Sequence, residues 1–202
     1  MTELSAVALV CTLTPSPTPS SSELMGRHVL EQLEKHGVST SSVRVVDHDV
    51  KPGVQVDMGP GDEWPALRQR VLDADILVLS TPVWMGHPSS IAQRVIERLD
   101  ADLAETDEQG RPIMYDKTAI VAVVGNEDGA HKIIADMLQA LNDVGFSIPA
   151  QAGTYWVGEA MQSVDYQDLD EVPEPVASTT AGAARNAVHL ARLLRAEPYP
   201  AG

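Results

Sequence analysis

The stretch Ala74-Asp-Ile-Leu-Val-Leu-Ser-Thr-Pro-Val-Trp-Met-Gly86 sets an unbroken apolar run directly before two hydroxyls, a proline, a tryptophan and a glycine. Apolar residues without polar alternation predict a strand over 76–81, buried on both faces of a parallel sheet. Thr81 precedes a proline and is therefore held extended. Gly86 lets the backbone approach whatever lies beside it. A helix pattern follows over 89–103, with Ile91, Val95 and Leu99 on one face. A buried strand leading through a short loop into a helix is the repeating step of a wound α/β sheet.

The same step recurs in both directions. Ser5-Ala-Val-Ala-Leu-Val-Cys11 is a second buried run, and further strands are expected over 43–47, 119–125 and, more weakly, 147–155. Between them, 20–36 places Met25, Val29 and Leu33 on one face and opens with Ser20-Ser-Ser-Glu23, a capping box. Residues 64–74 carry Pro65 in the first turn, with Leu67 and Val71 inward. Residues 131–144 show Ile134, Leu138 and Leu141, with Gly145 as the stop, and 181–195 closes the chain with Ala184, Val188 and Ala191. Five strands and five helices in alternation predict one α/β domain over 1–202, a doubly wound parallel sheet in the order 2-1-3-4-5. Three longer irregular stretches remain, 49–62, 104–117 and 158–178; loops of that length are functional or disordered.

Composition narrows the partners. Against 14 Lys+Arg stand 29 Asp+Glu, and a net charge of −15 with no basic cluster opposes nucleic acid and anionic lipid. A hydrophobic fraction of 44% is too high for a disordered chain. No apolar run reaches the roughly 18 residues of a membrane span, and Met1-Thr2-Glu3-Leu4 lacks the basic start of a signal peptide. The single Cys11 excludes an internal disulfide and a cysteine-rich metal site, which fits a reducing, cytoplasmic setting.

In an open parallel sheet, ligands bind beyond the carboxyl ends of the strands, which singles out three loops. After the first strand, Thr12-Leu-Thr-Pro-Ser-Pro-Thr-Pro-Ser-Ser-Ser22 offers seven hydroxyls and leads into a helix N-terminus. Those parts suit a phosphate without a Lys or Arg; the alternative is a proline-stiffened turn ending in an N-cap. The loop has neither Gly-Lys-Ser/Thr nor Gly-x-Gly-x-x-Gly, which disfavours a P-loop and a dinucleotide site. After the third strand, Trp84 stands where a planar ring could be sheltered, or merely covers the sheet edge. After the fourth, Gly125-Asn-Glu-Asp-Gly129 gives a donor-rich loop, or simply a turn. Tyr155-Trp156 ends the fifth strand on the same edge.

Other chemistries have less support. No Gly-x-Ser-x-Gly is present, and the six histidines contain no His-x-x-x-His or His-Glu-x-x-His pair, so neither a hydrolase triad nor a metal site is expected. His87 and His131 fall on the ligand edge but read first as loop or cap residues. Cys11 reads as a small core residue. Asp165, Asp168, Asp170, Glu171 and Glu174 read as a solvated loop.

Together the hydroxyl-rich first loop, the Asp75-to-Pro82 stretch leading to Trp84 and Gly86, and Gly125-Asn126 resemble the flavodoxin-like NAD(P)H-dependent FMN reductases, a family that includes quinone reductases. The resemblance spans about Ala6 to Gly158. It implies a flavodoxin-like five-stranded sheet with helices on both faces. It implies FMN and NAD(P)H as cofactors, with the phosphate held by Thr12, Thr14, Ser20, Ser21 and Ser22. Thr81, Pro82, Val83, Trp84, Met85 and Gly86 would line the ribityl chain and the ring system. Gly125, Asn126, Glu127, Asp128 and Gly129 would meet the pyrimidine edge. The chain departs from the family where an Arg or Lys often stands in the phosphate loop, because Thr14 and Pro15 occupy those positions.

The implied reaction is hydride transfer from NAD(P)H through FMN to a small-molecule acceptor such as a quinone or another flavin. The flavin carries the chemistry, so no catalytic side chain is required. Family members are often dimers, which extends the implication to a homodimer. Two alternatives stay open: a flavodoxin-type electron carrier, which the acidity suits, and a flavin-free interaction module.

Overall fold

The computed structural model describes residues 3–160 and 162–201; the Met1-Thr2 start discussed above lies outside them. A parallel sheet in the order β2-β1-β3-β5-β6 forms its centre. Its strands are β1 (Leu4–Val10), β2 (Val38–Arg44), β3 (Ile76–Trp84), β5 (Thr118–Gly125) and β6 (Gly153–Val157). A two-residue strand, β4 (His87–Pro88), turns back antiparallel onto the end of β3 and pairs Trp84 with His87. Setting that short strand aside, the five long strands have the expected order 2-1-3-4-5, the flavodoxin-like arrangement.

Successive strand residues face opposite sides, and both sides are dry. Val7, Leu9, Leu77, Leu79, Val121 and Val123 point to one face, where α2 (Trp64–Asp73), α3 (Ser90–Leu99) and α4 (Ala130–Val144) bring Trp64, Val95 and Leu141. Ala6, Ala8, Ile76, Val78, Ile120 and Val124 point to the other, where α1 (Ser21–Glu34) and α5 (Glu174–Ala196) pack Met25, Val29, Ala184 and Ala187. Each large side chain so buried contributes about 1.5–3 kcal/mol. That two-sided burial explains why β1, β3 and β5 carry unbroken apolar runs, over 6–10, 76–79 and 119–124.

Several elements differ from the sequence expectation, the third strand among them, which runs on through Pro82 to Trp84 beyond the expected 76–81. The second strand is Val38–Arg44 rather than 43–47. It is an edge strand, so Ser39 to Ser42 can remain polar, while Val45–Asp47 leaves the sheet as a 3-10 turn. The last strand is Gly153–Val157, and Ser147 contributes only an isolated bridge to Thr118. Helix α3 ends at Leu99, followed by a 3-10 stretch Asp100–Ala104 whose buried Asp102 pairs with Arg68 at 2.5 Å. Helix α5 begins at Glu174, so the acidic loop is shorter than 158–178. Thr179 and Thr180, within the helix, bond across to Thr154.

The loop over 49–62 is anchored. Arg98, fully buried, pairs with Asp62 at 2.8 Å and donates to the carbonyls of Lys51 and Gln55. Burial works against the Asp62 charge, yet the Arg98 guanidinium and the N–H groups of Met58, Lys51 and Trp64 outweigh it and hold the carboxyl well below its usual range.

Candidate functional site

The carboxyl ends of β1, β3, β5 and β6 meet at a cleft of about 300 Å³. One wall is the loop after β1: Thr12, Thr14, Ser20, Ser21 and Ser22 all border it, together with Leu13 and Pro19. Helix α1 starts at Ser21, so its first N–H groups have no helical acceptor. The hydroxyls divide between structure and cleft. Ser20 caps α1 by accepting from Glu23 N, Thr12 accepts from Thr14 N, and Ser21 accepts from Gln167 N. The capping alternative is therefore real for Ser20, and it coexists with a lined cleft.

The opposite wall comes from β3. Pro82, Val83 and Trp84 line the cleft. Met85 and Gly86 form the two-residue turn into β4, with φ of 51° and 74°; two consecutive positive values are what a type I′ hairpin turn requires. That turn carries Met85 out to 87% exposure and leaves Trp84 half exposed at 52%, beside the mouth. Thr81 does not reach the cleft: it is fully buried, and its hydroxyl accepts from Ser89 N at the start of α3.

The floor is built on glycine. Gly125, Asn126 and Glu127 border the cleft. A Cβ on Gly125 would lie 2.7 Å from Val83 Cβ, and one on Gly158 would lie 2.5 Å from Asn126 Oδ1. Only glycine permits these approaches. Asn126 donates from Nδ2 to Asp165 Oδ1 at 2.7 Å, while its Oδ1 is buried with no donor. A buried acceptor left unpaired costs about 1–3 kcal/mol, so this atom is suited to a ligand N–H. Asp128 and Gly129 stand behind the floor, where Gly129 packs on Gly86 so closely that a Cβ would come within 2.8 Å of Gly86 Cα.

The remaining side adds Tyr166 and Gln167, which the sequence did not single out, and corrects the reading of Asp165, which borders the cleft rather than only a solvated loop. Asp165, Tyr166 and Gln167, from the short acidic loop, border the cleft beside Trp156. Tyr166 is buried, its ring centroid 5.6 Å from that of Trp156, and its hydroxyl meets His28 Nδ1 at 2.9 Å. Burial pushes the Tyr166 phenol up to about 12 and lowers His28. A lone tyrosine inside an acidic run was the available signal. Trp156 and Tyr155 separate, because neighbours in a strand face opposite ways: Tyr155 turns to His131 Nε2 at 3.0 Å, outside the cleft. His87 is exposed on β4. Cys11 is fully buried, and burial pushes its thiol up, so it is not a nucleophile. Among the described residues no group of three His, Cys, Asp or Glu could hold a metal. Among the described residues no Lys or Arg lines the cleft, whereas Glu127 and Asp165 do.

Comparisons with known proteins bear on this geometry. The family model described as NADPH-dependent FMN reductase matches residues 7–162. The 8-demethyl-8-aminoriboflavin-5'-phosphate synthase of Streptomyces davaonensis is 32% identical over 207 residues, covering 97% of this chain and 80% of that protein. The crystal structure of RosB with the bound intermediate 8-demethyl-8-formylriboflavin-5'-phosphate superposes with a TM-score of 0.87 at 31% identity, covering 97% of this chain and 82% of that one. The protein named divalent metal cation transporter MntH of Mycobacterium bovis is 38% identical over 200 residues. That match takes in 96% of this chain but only 29% of the transporter's length, and no described helix here is long and apolar enough to cross a membrane.

Proposed function

The chain belongs to the NADPH-dependent FMN reductase family, and from that premise we propose that its cleft holds FMN and that it oxidises NAD(P)H at the expense of a small acceptor such as a quinone or another flavin. The observation carrying this reading is the meeting of a hydroxyl-rich helix N-terminus, an aromatic wall and an orphaned buried acceptor around one cleft. Thr12, Thr14, Ser20, Ser21 and Ser22, with the first N–H groups of α1, would hold the phosphate. Pro82, Val83, Trp84 and Trp156 would flank the ring system, and Asn126 Oδ1 offers the acceptor that an imide N–H of the pyrimidine edge needs. Thr81, Met85, Gly86, Asp128 and Gly129 act in this reading by shaping the two loops rather than by lining the cleft.

FMN supplies the hydride chemistry when bound. The protein's part is to bind, orient and exclude water. Tyr166 over Trp156 closes one side, and the glycine contacts under Gly125 and Gly158 fix the floor. The exposed Trp84 and Met85 form an apolar surface beside the mouth, and in this reading a second copy covers it in a homodimer. A cytoplasmic location accords with one buried, unpaired cysteine.

A second reading is favoured by one observation, the 31% identical structure whose bound molecule is itself a flavin phosphate. In that reading the flavin would be this chain's substrate rather than its resident cofactor. Both readings require FMN to bind, and product analysis separates them. Incubation with FMN, NAD(P)H and a quinone is expected to consume NAD(P)H and return the flavin unchanged. A chemically altered flavin would favour the second reading. Flavin binding without NAD(P)H oxidation would indicate an electron carrier, and no flavin binding an interaction module.

A further inference from the structure

One cation stands directly behind the hydroxyl-rich loop without lining the cleft. Arg44 is the last residue of β2, in register with Val10 at the end of β1. Its side chain is 4% exposed. Nη1 donates to the carbonyls of Thr14 at 3.0 Å and Thr18 at 2.8 Å, and Nη2 donates to Glu23 Oε2 at 2.5 Å. Its Nε is buried without a partner. Three residues on, Asp47 Oδ1 accepts from Ser16 N at 2.8 Å. Alternate residues 14, 16 and 18 of the loop are thus fastened to the end of β2 and to the 3-10 turn that follows it.

The identity of the two carbonyls matters. Thr14 precedes Pro15 and Thr18 precedes Pro19, so each of these peptides presents an oxygen and no N–H. A carbonyl oxygen turned toward an incoming phosphate repels it, and proline offers no donor in compensation. Glu23 poses the same problem, since its carboxylate lies in the first turn of α1, where an anion would be received. A single guanidinium fork meets all three acceptors at once, a geometry its planar donors allow and a lysine ammonium does not reproduce.

We propose that Arg44 is the positioning residue for the flavin phosphate: it ties the Thr14 and Thr18 carbonyls away from the phosphate and neutralises Glu23, so that a loop without Lys or Arg still accepts a dianion. The inference rests on the FMN reading above and deepens it. Arg44 does not touch the phosphate; its effect passes through the loop and through Glu23.

The test compares two ligands that differ only in the phosphate. The apo-protein is titrated with FMN and with riboflavin, following flavin fluorescence, and each variant is first shown to be folded by circular dichroism and thermal melting. Wild type is expected to prefer FMN over riboflavin. Arg44→Gln is expected to reduce that preference about tenfold, the scale of one charge-assisted hydrogen bond, with riboflavin binding little changed. Glu23→Gln, which leaves Arg44 unneutralised, is expected to raise the preference, and Arg44→Lys to fall between wild type and Arg44→Gln. An unchanged preference in Arg44→Gln, or an equal loss for both flavins, overturns the inference and leaves Arg44 a structural anchor only. If Arg44→Gln does not fold, Glu23→Gln decides, and an unchanged preference there overturns it. Failure of wild type to bind either flavin overturns the FMN reading instead.

Discussion

Gly129, Gly125 and Gly158 carry more of the cleft's shape than any polar side chain, because the loops touch where a methyl group would be. Gly129 has φ of 132° and lies against Gly86. Gly129→Ala is therefore strained twice, by conformation and by contact, and is expected to cost about 1–3 kcal/mol of stability in urea unfolding. His28 offers a pH signature. Burial lowers it from its ordinary 6.5 in the folded chain, so the unfolded chain binds more protons just below pH 6.5, and stability must fall on acidification through that window. Replacement of His28 by Asn is expected to flatten the stability profile there, read as melting temperature against pH. A slope unchanged by the substitution would assign the loss elsewhere. The sequence pointed to Gly125, Gly129 and Asn126 because glycines bracketing polar residues after a strand are a local pattern. It did not point to Tyr166 or Arg44. Their roles depend on a neighbour 138 positions away in one case and on loop carbonyls 26 and 30 positions away in the other.

Among the elements, β1, β3 and β5 were legible because two-sided burial gives each an unbroken apolar run, and their helices because a single face is apolar. The second strand was not, since Ser39 to Ser42 sit at the sheet edge and need no apolar character. The start of α5 was obscured by Pro173, Pro175 and two threonines, all tolerated in a first helical turn or held by Thr154. The 49–62 loop could be read only as Gly- and Pro-rich, while the structure makes it depend on Arg98 from α3. Arg98→Met removes the partner of buried Asp62 and is expected to destabilise by about 3–5 kcal/mol. Adding Asp62→Asn should recover part of that loss, measured by chemical unfolding of the single and double variants. Equal stability of wild type and Arg98→Met would contradict the anchoring role.

At the level of the whole molecule, two apolar cores on the two faces of one sheet leave the carboxyl edge free, and the loops after β1, β3 and β5 gather there. The order β2-β1-β3 makes the chain reverse direction across the sheet at β1, and the cleft lies at that reversal. The acidity has a sharper meaning in this frame. In the proposed reading a chain of net charge −15, with no cation among the described residues that line its cleft, receives a phosphate through hydroxyls and helix N–H groups, with Arg44 acting only through the loop and Glu23. Raising ionic strength should therefore strengthen FMN binding by screening the long-range repulsion, whereas a site with an exposed cation would weaken. The most direct measurement is anaerobic: protein saturated with FMN is mixed with NAD(P)H, and the flavin absorbance is followed before and after a quinone is added. Loss of the yellow absorbance on NAD(P)H addition, and its return with the quinone at turnover well above that of free FMN, is the predicted result. Absorbance that persists, or changes no faster than with free FMN alone, would contradict the account.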